Sequence, residues 1–301
     1  MGDRLGVVVM AYGTPATPDD VAAYYTHIRR GHPPTPEQLA DLVRRYDAIG
    51  GTSPLAERTE AQRAALASAL EERAPGRCTV VLGQKHAAPF IEDAATELLR
   101  EGAAALVGLV LAPHYSGFSV GQYQERLAEA AGDVPVGRVD SWHLEPAYIE
   151  FLARAVRDGL ATLPAHSHVL FTAHSLPERV LVGDPYPEQL AASAAAIAGT
   201  VGLARDRWSL AWQSAGRTAE PWRGPDVLAV LREIAAGHSG DGVLVCPHGF
   251  VSDHLEVVYD LDIEAAGVAT EVGLAFARTR VLNDDPGVLS ALADRVLAAA
   301  P

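Results

Sequence analysis

Leu5-Gly6-Val7-Val8-Val9-Met10-Ala11, followed at once by Tyr12-Gly13, is the stretch from which the fold is read. An unbroken apolar run of this length suits a parallel strand covered on both faces. Working outward, similar runs recur at 79–83, 106–112, 134–139, 169–173, 208–213 and 243–246. Longer amphipathic segments lie between them, at 59–72, 91–100, 122–131, 147–160, 187–198 and 225–235. Several have proline near their start, where a helix tolerates the missing N–H. Strand alternating with helix means βαβ units and a doubly wound sheet. Four strands precede residue 140 and three follow, with a weaker candidate near 270–276. Two similar α/β halves therefore meet near 140–146. No Gly/Ser linker marks the junction, so the halves should pack tightly. The stretch 22–53 breaks the alternation, with Pro33, Pro34 and Pro36 in its middle. Insertions of that length are usually lids or binding elements.

Composition narrows the function. The 301 residues are 49% hydrophobic, enough for a sizeable core, and carry 24 Lys+Arg against 38 Asp+Glu, a net charge of −14. A nucleic-acid binder wants a basic face, so none is expected as partner. An anionic ligand needs a local basic patch. Cys78 and Cys246 form no C-x-x-C pair, lie in apolar runs and read as core residues of a reduced, cytosolic protein. The N-terminus lacks the features of a signal peptide. The longest uncharged stretches, 103–113 and 190–204, are shorter than the roughly 20 residues of a spanning helix. A soluble cytoplasmic protein without transmembrane segments is expected, and a monomer, because no long apolar surface helix stands out.

Ligand crevices of open α/β sheets lie beyond the carboxyl ends of the strands. Five of the eleven histidines stand just past a strand: His86, His114, His143, His174 and His248. Tyr12, Tyr115 and Trp142 stand among them, which argues for a crevice lined by imidazole and aromatic faces. No G-x-G-x-x-G, P-loop or G-x-S-x-G motif follows any strand, against dinucleotide, nucleotide and hydrolase readings. If 250–264 is a helix, Glu256, Asp260 and Glu264 fall at i, i+4 and i+8 on one face. Like charges at that spacing repel by about a few tenths of a kcal/mol per pair, a cost a cation would reverse. A solvated acidic face, or a capping box from Asp253 to Glu256, is the bland alternative. The insertion is basic: residues 27–46 hold Arg29, Arg30, Arg44 and Arg45 against Glu37 and Asp41, a net of +2. Two of the four are expected to be solvated. The others suit an anionic ligand, since Arg presents a planar fork to carboxylates.

These segments together resemble the ferrochelatase family, in its coproporphyrin branch from monoderm bacteria. The matching stretches are Met10-Ala11-Tyr12-Gly13-Thr14-Pro15, Tyr24-Tyr25-Thr26-His27-Ile28-Arg29-Arg30-Gly31 and Arg45-Tyr46-Asp47-Ala48-Ile49-Gly50-Gly51. Further on come Lys85-His86, Ala112-Pro113-His114-Tyr115-Ser116 and Ala173-His174-Ser175-Leu176-Pro177-Glu178. Gly183-Asp184-Pro185-Tyr186-Pro187, Trp212-Gln213-Ser214 and Asp253-His254-Leu255-Glu256 complete a series of nine in register.

The resemblance implies two Rossmann-like domains, 1–140 with the lid insertion 22–53 and 141–301. Each would be a four-stranded parallel sheet flanked by helices, with the active cleft between them. It implies that the chain inserts Fe²⁺ into coproporphyrin III, with His174 as the active-site histidine and Glu256 its partner across the cleft. Both would contact Fe²⁺. Tyr12 matches a tyrosine under the macrocycle that can touch the product iron. Arg29, Arg45, Tyr46, Ser53 and Tyr123 match porphyrin-binding positions, and Asp260 and Glu264 an outer carboxylate site for a divalent ion. Metallation must remove two pyrrole protons and strip water from Fe²⁺. A neutral His accepts a proton near pH 7, and His with carboxylate suits Fe²⁺. Which of those tasks His174 performs is left open by the residues. Fe²⁺ is a substrate here and no tight cofactor is implied. The two cysteines cannot supply the four ligands of a [2Fe–2S] cluster. The lid His27-Ile28-Arg29-Arg30-Gly31-His32-Pro33-Pro34 is polar and basic, which suits the more carboxylated coproporphyrin. His248 is read as a loop residue rather than an added pocket ligand. A downstream coprohaem decarboxylase is the implied partner. The alternatives are a protoporphyrin IX ferrochelatase, a sirohydrochlorin chelatase, which lacks this lid, and a non-catalytic porphyrin or haem carrier. A carrier would need neither His174 nor Glu256.

Overall fold

The computed structural model describes residues 4–216, 218–237 and 240–301. β1 (Leu5–Ala11), β2 (Cys78–Gln84), β3 (Ala105–Val110) and β4 (Val136–Val139) form one sheet, in the order β2-β1-β3-β4. β5 (His168–His174), β6 (Trp208–Gln213), β7 (Gly242–Cys246) and β8 (Ala275–Arg278) form the second, in the order β6-β5-β7-β8. Every pairing is parallel, and each half repeats the same strand order.

Between β1 and β2 the chain forms α1 (Val21–Ile28), α2 (Pro36–Ala48) and α3 (Leu55–Arg73). α4 (Ile91–Arg100) and α5 (Gln122–Ala131) complete the first half, and α6 (Pro146–Leu160) leads to the second. There α7 (Tyr186–Val201) and α8 (Val227–Ala236) are followed by α9 (Leu255–Tyr259), a π-helical turn at 260–265 and α10 (Ala266–Glu271). α11 (Pro286–Ala298) ends the chain. The weak strand expected at 270–276 begins instead at Ala275, because 266–271 continues the helix.

All seven residues of β1 are buried, and alternation sends them to two cores. Val7 and Val9 join Phe151, Leu152, Phe171 and Leu289 in a cluster that belongs to both sheets. Val8 and Met10 pack on the other face with Ile91 and Leu98 of α4. The shared cluster explains why no linker separates the halves. α11 then returns to the first half, where Arg73 of α3 binds Asp294 (2.5 Å) and Ser290 (2.7 Å).

Candidate active site

The chain reverses direction across each sheet between the first strand and its third, which opens a crevice at their carboxyl ends. Tyr12 follows β1 and His174 ends β5, so the two hold equivalent places in the two halves. Both line a cleft of about 1100 Å³, with Tyr46, Ser53, Tyr123 and Glu256. Two glycines make the strand ends fit. Gly13 takes φ +91°, and Gly249 approaches β5 so closely that a Cβ would stand 2.5 Å from that of Ala173.

His174 Nδ1 donates to the Ser175 carbonyl oxygen, which leaves Nε2 to face Glu256 Oε1 at 3.4 Å. His254 Nδ1 donates to Ser252 O (2.9 Å), and its Nε2 lies 3.6 Å from Glu256 Oε2. Gln213, at the end of β6, donates to the Glu256 backbone carbonyl (2.7 Å) and fixes the first turn of α9. The cleft walls oppose charge on both members of the His174–Glu256 pair, but mutual attraction outweighs that cost. Burial alone would lower the His174 pKa, yet the Glu256 carboxylate and the Ser175 carbonyl raise it to about 9. Glu256 is held ionised, well below the usual carboxylate range, by the two imidazoles against the same opposing burial. Two expectations change here. Glu256 does not face His174 from across the cleft: both belong to the second half and stand side by side, and no macrocycle fits between them. The charge of His174 is the second: with its pKa raised to about 9 by Glu256, the imidazolium is favoured over the neutral ring near pH 7.

The acidic ridge also differs from its expected form. A π-helical turn starting at Asp260 widens the helix, so Glu256, Asp260 and Glu264 do not keep ideal i, i+4, i+8 spacing, although all three line the cleft. Asp253 does not cap α9, being bound by Asn283 Nδ2 (2.8 Å) and Arg278 (3.3 Å). Asp260 accepts from Ser214 Oγ (2.5 Å) and pairs with Arg45 (3.5 Å). Burial and the Glu256 charge raise its pKa to about 7, against the pull of Ser214 and Arg45. Among the described residues no three His, Cys, Asp or Glu side chains converge as a metal cage.

The capping box of Thr35 and Gln38 starts α2 and directs Arg45 and Tyr46 to the cleft. Of the four lid arginines, Arg30 and Arg45 line the cleft and Arg29 and Arg44 do not. Arg29 donates to His32 O (3.2 Å) and lies over Tyr25, while Arg44 pairs with Asp41. His86 lines the cleft as its place past a strand implies, and Lys85 and His27, to which the sequence reading gave no individual role, line it too. The signal was present in Lys85-His86, which directly follows a strand. His248 is fully buried, bonded through Nε2 to Leu190 O (3.1 Å), and lies outside the cleft wall. It is a loop residue as expected, in the turn after β7, but one buried in the core rather than a pocket ligand.

A family model described as Ferrochelatase matches residues 4–300. The coproporphyrin III ferrochelatase of Geobacillus kaustophilus is 44% identical over 301 residues, covering 97% of this chain and 95% of that protein. The coproporphyrin III ferrochelatase of Bacillus subtilis strain 168 is 42% identical over 303 residues, covering 98% and 97%. Among solved structures, the cobalt complex of the sirohydrochlorin chelatase SirB from Bacillus subtilis subspecies spizizenii superposes with a TM-score of 0.60. It covers 99% of this chain and 95% of that one at 11% identity, a likeness of fold alone.

Proposed function

Because the chain belongs to the ferrochelatase family, we propose that it inserts Fe²⁺ into coproporphyrin III to give coprohaem, with His174 and Glu256 handling the metal. The observation that carries the reading is the pair itself, an imidazole and a carboxylate 3.4 Å apart in a cleft of about 1100 Å³.

In this reading Fe²⁺ takes the place of the proton on His174 Nε2, and Glu256 balances its charge. Nδ1 is committed to the Ser175 carbonyl, so the metal meets a single nitrogen lone pair of fixed direction. Metal arrival expels one proton. When Fe²⁺ passes to the pyrrole nitrogens, Nε2 is bare again beside a carboxylate and takes one of the two pyrrole protons. The other leaves to water in the cleft. His174 thus both guides the metal and accepts a proton, at different moments, and the cycle closes with two protons released. Tyr12 stands on the other half, where it can meet the far face of the macrocycle. Arg45, Tyr46, Ser53 and Tyr123 hold the porphyrin, partly through its carboxylates. Arg29 is outside the wall and receives no such role. Asp260 is occupied by Ser214 and Arg45, so an outer ion would be held chiefly through Glu264.

We further place the protein in the cytoplasm as a monomer without a resident cofactor, feeding a decarboxylase of coprohaem. No described helix is long and apolar enough to cross a membrane. The test is anaerobic turnover: purified protein should convert Fe²⁺ and coproporphyrin III to coprohaem, faster than it metallates protoporphyrin IX. His174→Ala should abolish turnover while porphyrin still binds. Undiminished turnover in that variant sinks the assignment.

A further inference from the structure

We propose that Asp184 is a positioning residue: it ties the first-half wall of the cleft to the strand end that carries His174, so that the macrocycle is gripped from both sides in register. The inference rests on the chelatase reading above and adds to it a residue that does not itself line the cleft.

The wall begins just past β3. Gly117–Gly121 form a π-helical turn that runs directly into α5, and Phe118, Gln122 and Tyr123 of this stretch line the cleft. The first N–H groups of such a turn have no partner within it. Phe118 N is taken by Ser116 Oγ (3.2 Å), but Gly117 N is taken from outside, by Asp184 Oδ2 (2.8 Å). The same oxygen accepts from Ser116 Oγ (3.1 Å), and Ser116 is fully buried. One carboxylate oxygen thus anchors the start of the turn twice, directly and through Ser116.

Asp184 belongs to the other half. It stands in the turn before α7, where its Oδ1 accepts from Tyr186 N (3.0 Å) and is fixed to the helix start. Tyr186 is buried, and its hydroxyl donates to the His174 backbone carbonyl oxygen (3.2 Å). The contacts therefore run from the end of β5, through Tyr186 and Asp184, to the turn that leads into Tyr123. Gln189, one turn further along α7, repeats the tie by accepting from Tyr115 N (2.7 Å) and Ser141 Oγ (3.0 Å). Phe118 adds an apolar contact to the second-half cluster of Ala173, Leu176, Tyr186, Leu190 and Trp212. Apolar packing is non-directional and lets a ring slide. Hydrogen bonds to a carboxylate fix direction and are the stronger kind.

Metal transfer needs the macrocycle aligned between a metal held on the second half and a wall on the first. The His174–Glu256 pair and its ties to Ser175, His254 and Gln213 all lie in the second half. A shift of the wall leaves that pair intact and loosens the porphyrin alone. Asp184 acts on the porphyrin and not on the metal, and this separates positioning from a general loss of structure.

The test follows coproporphyrin III binding by fluorescence titration and Zn²⁺ binding by calorimetry. It compares wild type, Asp184→Ala, Asp184→Asn, Ser116→Ala and the double alanine variant. Asp184→Ala should weaken porphyrin binding roughly tenfold, about the loss of one charge-assisted hydrogen bond, while Zn²⁺ affinity stays within about twofold of wild type. Asp184→Asn keeps one acceptor oxygen for the turn and should recover part of the loss. Ser116→Ala should weaken porphyrin binding about threefold in wild type and hardly at all beside Asp184→Ala, because the two act through one contact. Unchanged porphyrin binding in Asp184→Ala overturns the proposal. So does a parallel loss of porphyrin and Zn²⁺ binding, which would make Asp184 a structural residue only. If the alanine variant does not fold, Asp184→Asn and Ser116→Ala decide by the same two readouts. Wild-type turnover of coproporphyrin reports separately on the chelatase reading.

Discussion

Replacing Glu256 by Gln removes the charge that keeps His174 protonated and leaves the shape of the site nearly unchanged. The His174 pKa of about 9, against an ordinary value near 6.5, means that its surroundings favour the imidazolium by at most about 3 kcal/mol. This is an upper bound, since the two side chains are 33% and 35% open to water. With the carboxylate gone, burial dominates and the pKa should fall to about 6.5 or lower. NMR titration of the labelled imidazole between about pH 5 and 10 reads this directly. A second measurement uses Zn²⁺ as a stand-in that does not oxidise. Near pH 7.5 its binding should release about one proton from wild type and almost none from the variant, by calorimetry in buffers of different ionisation heat. Metal insertion should fall roughly 100-fold or more. The sign of the stability effect is fixed as well. A folded-state pKa above the unfolded one stabilises fully below about pH 6.5 and fades through about 9, so the gap between wild type and variant should close over that window. A His174 midpoint still near 9 in the variant would refute the pairing and the proton-for-metal exchange built on it.

Three further outcomes are expected. His248 is buried and neutral, with its pKa pushed down to about 4 by burial, so folding stability should drop by about 3 kcal/mol as pH falls from about 6.5 to 4. Urea denaturation of wild type and His248→Asn across that range checks it, and a pH-independent gap between the two counts against it. Gly249→Ala forces a Cβ to within 2.5 Å of the Ala173 Cβ and 2.8 Å of its Cα, costing about 1–3 kcal/mol and displacing the strand end that carries His174. Thermal melting and turnover should both report the loss, and a variant that melts with wild type refutes the close-approach argument. Arg45→Gln removes the cation that opposes the raised Asp260 pKa, so that carboxyl should titrate above 7, followed by its infrared band.

Much of this protein could be read along the chain. Apolar runs and helical periodicity are local signals, and they placed seven of eight strands because a strand buried on both faces has few other compositions open to it. The strand-end rule brought His174 and Tyr12 to a common crevice, and the nine motifs marked Glu256. Tertiary structure alone decided the rest. That His174 and Glu256 stand 3.4 Å apart in one half, and share a proton site, depends on how β5 and α9 meet across Gln213. That Arg30 and not Arg29 lines the cleft is decided by the course of the lid backbone, which no residue pattern reveals for two adjacent arginines. The occupation of Asp260 by Ser214 and Arg45 is a fact about neighbours far apart in sequence. The sequence determined which chemical groups the cleft contains. The packing of the two sheets decided their charge states and partners, because those follow from distance and burial.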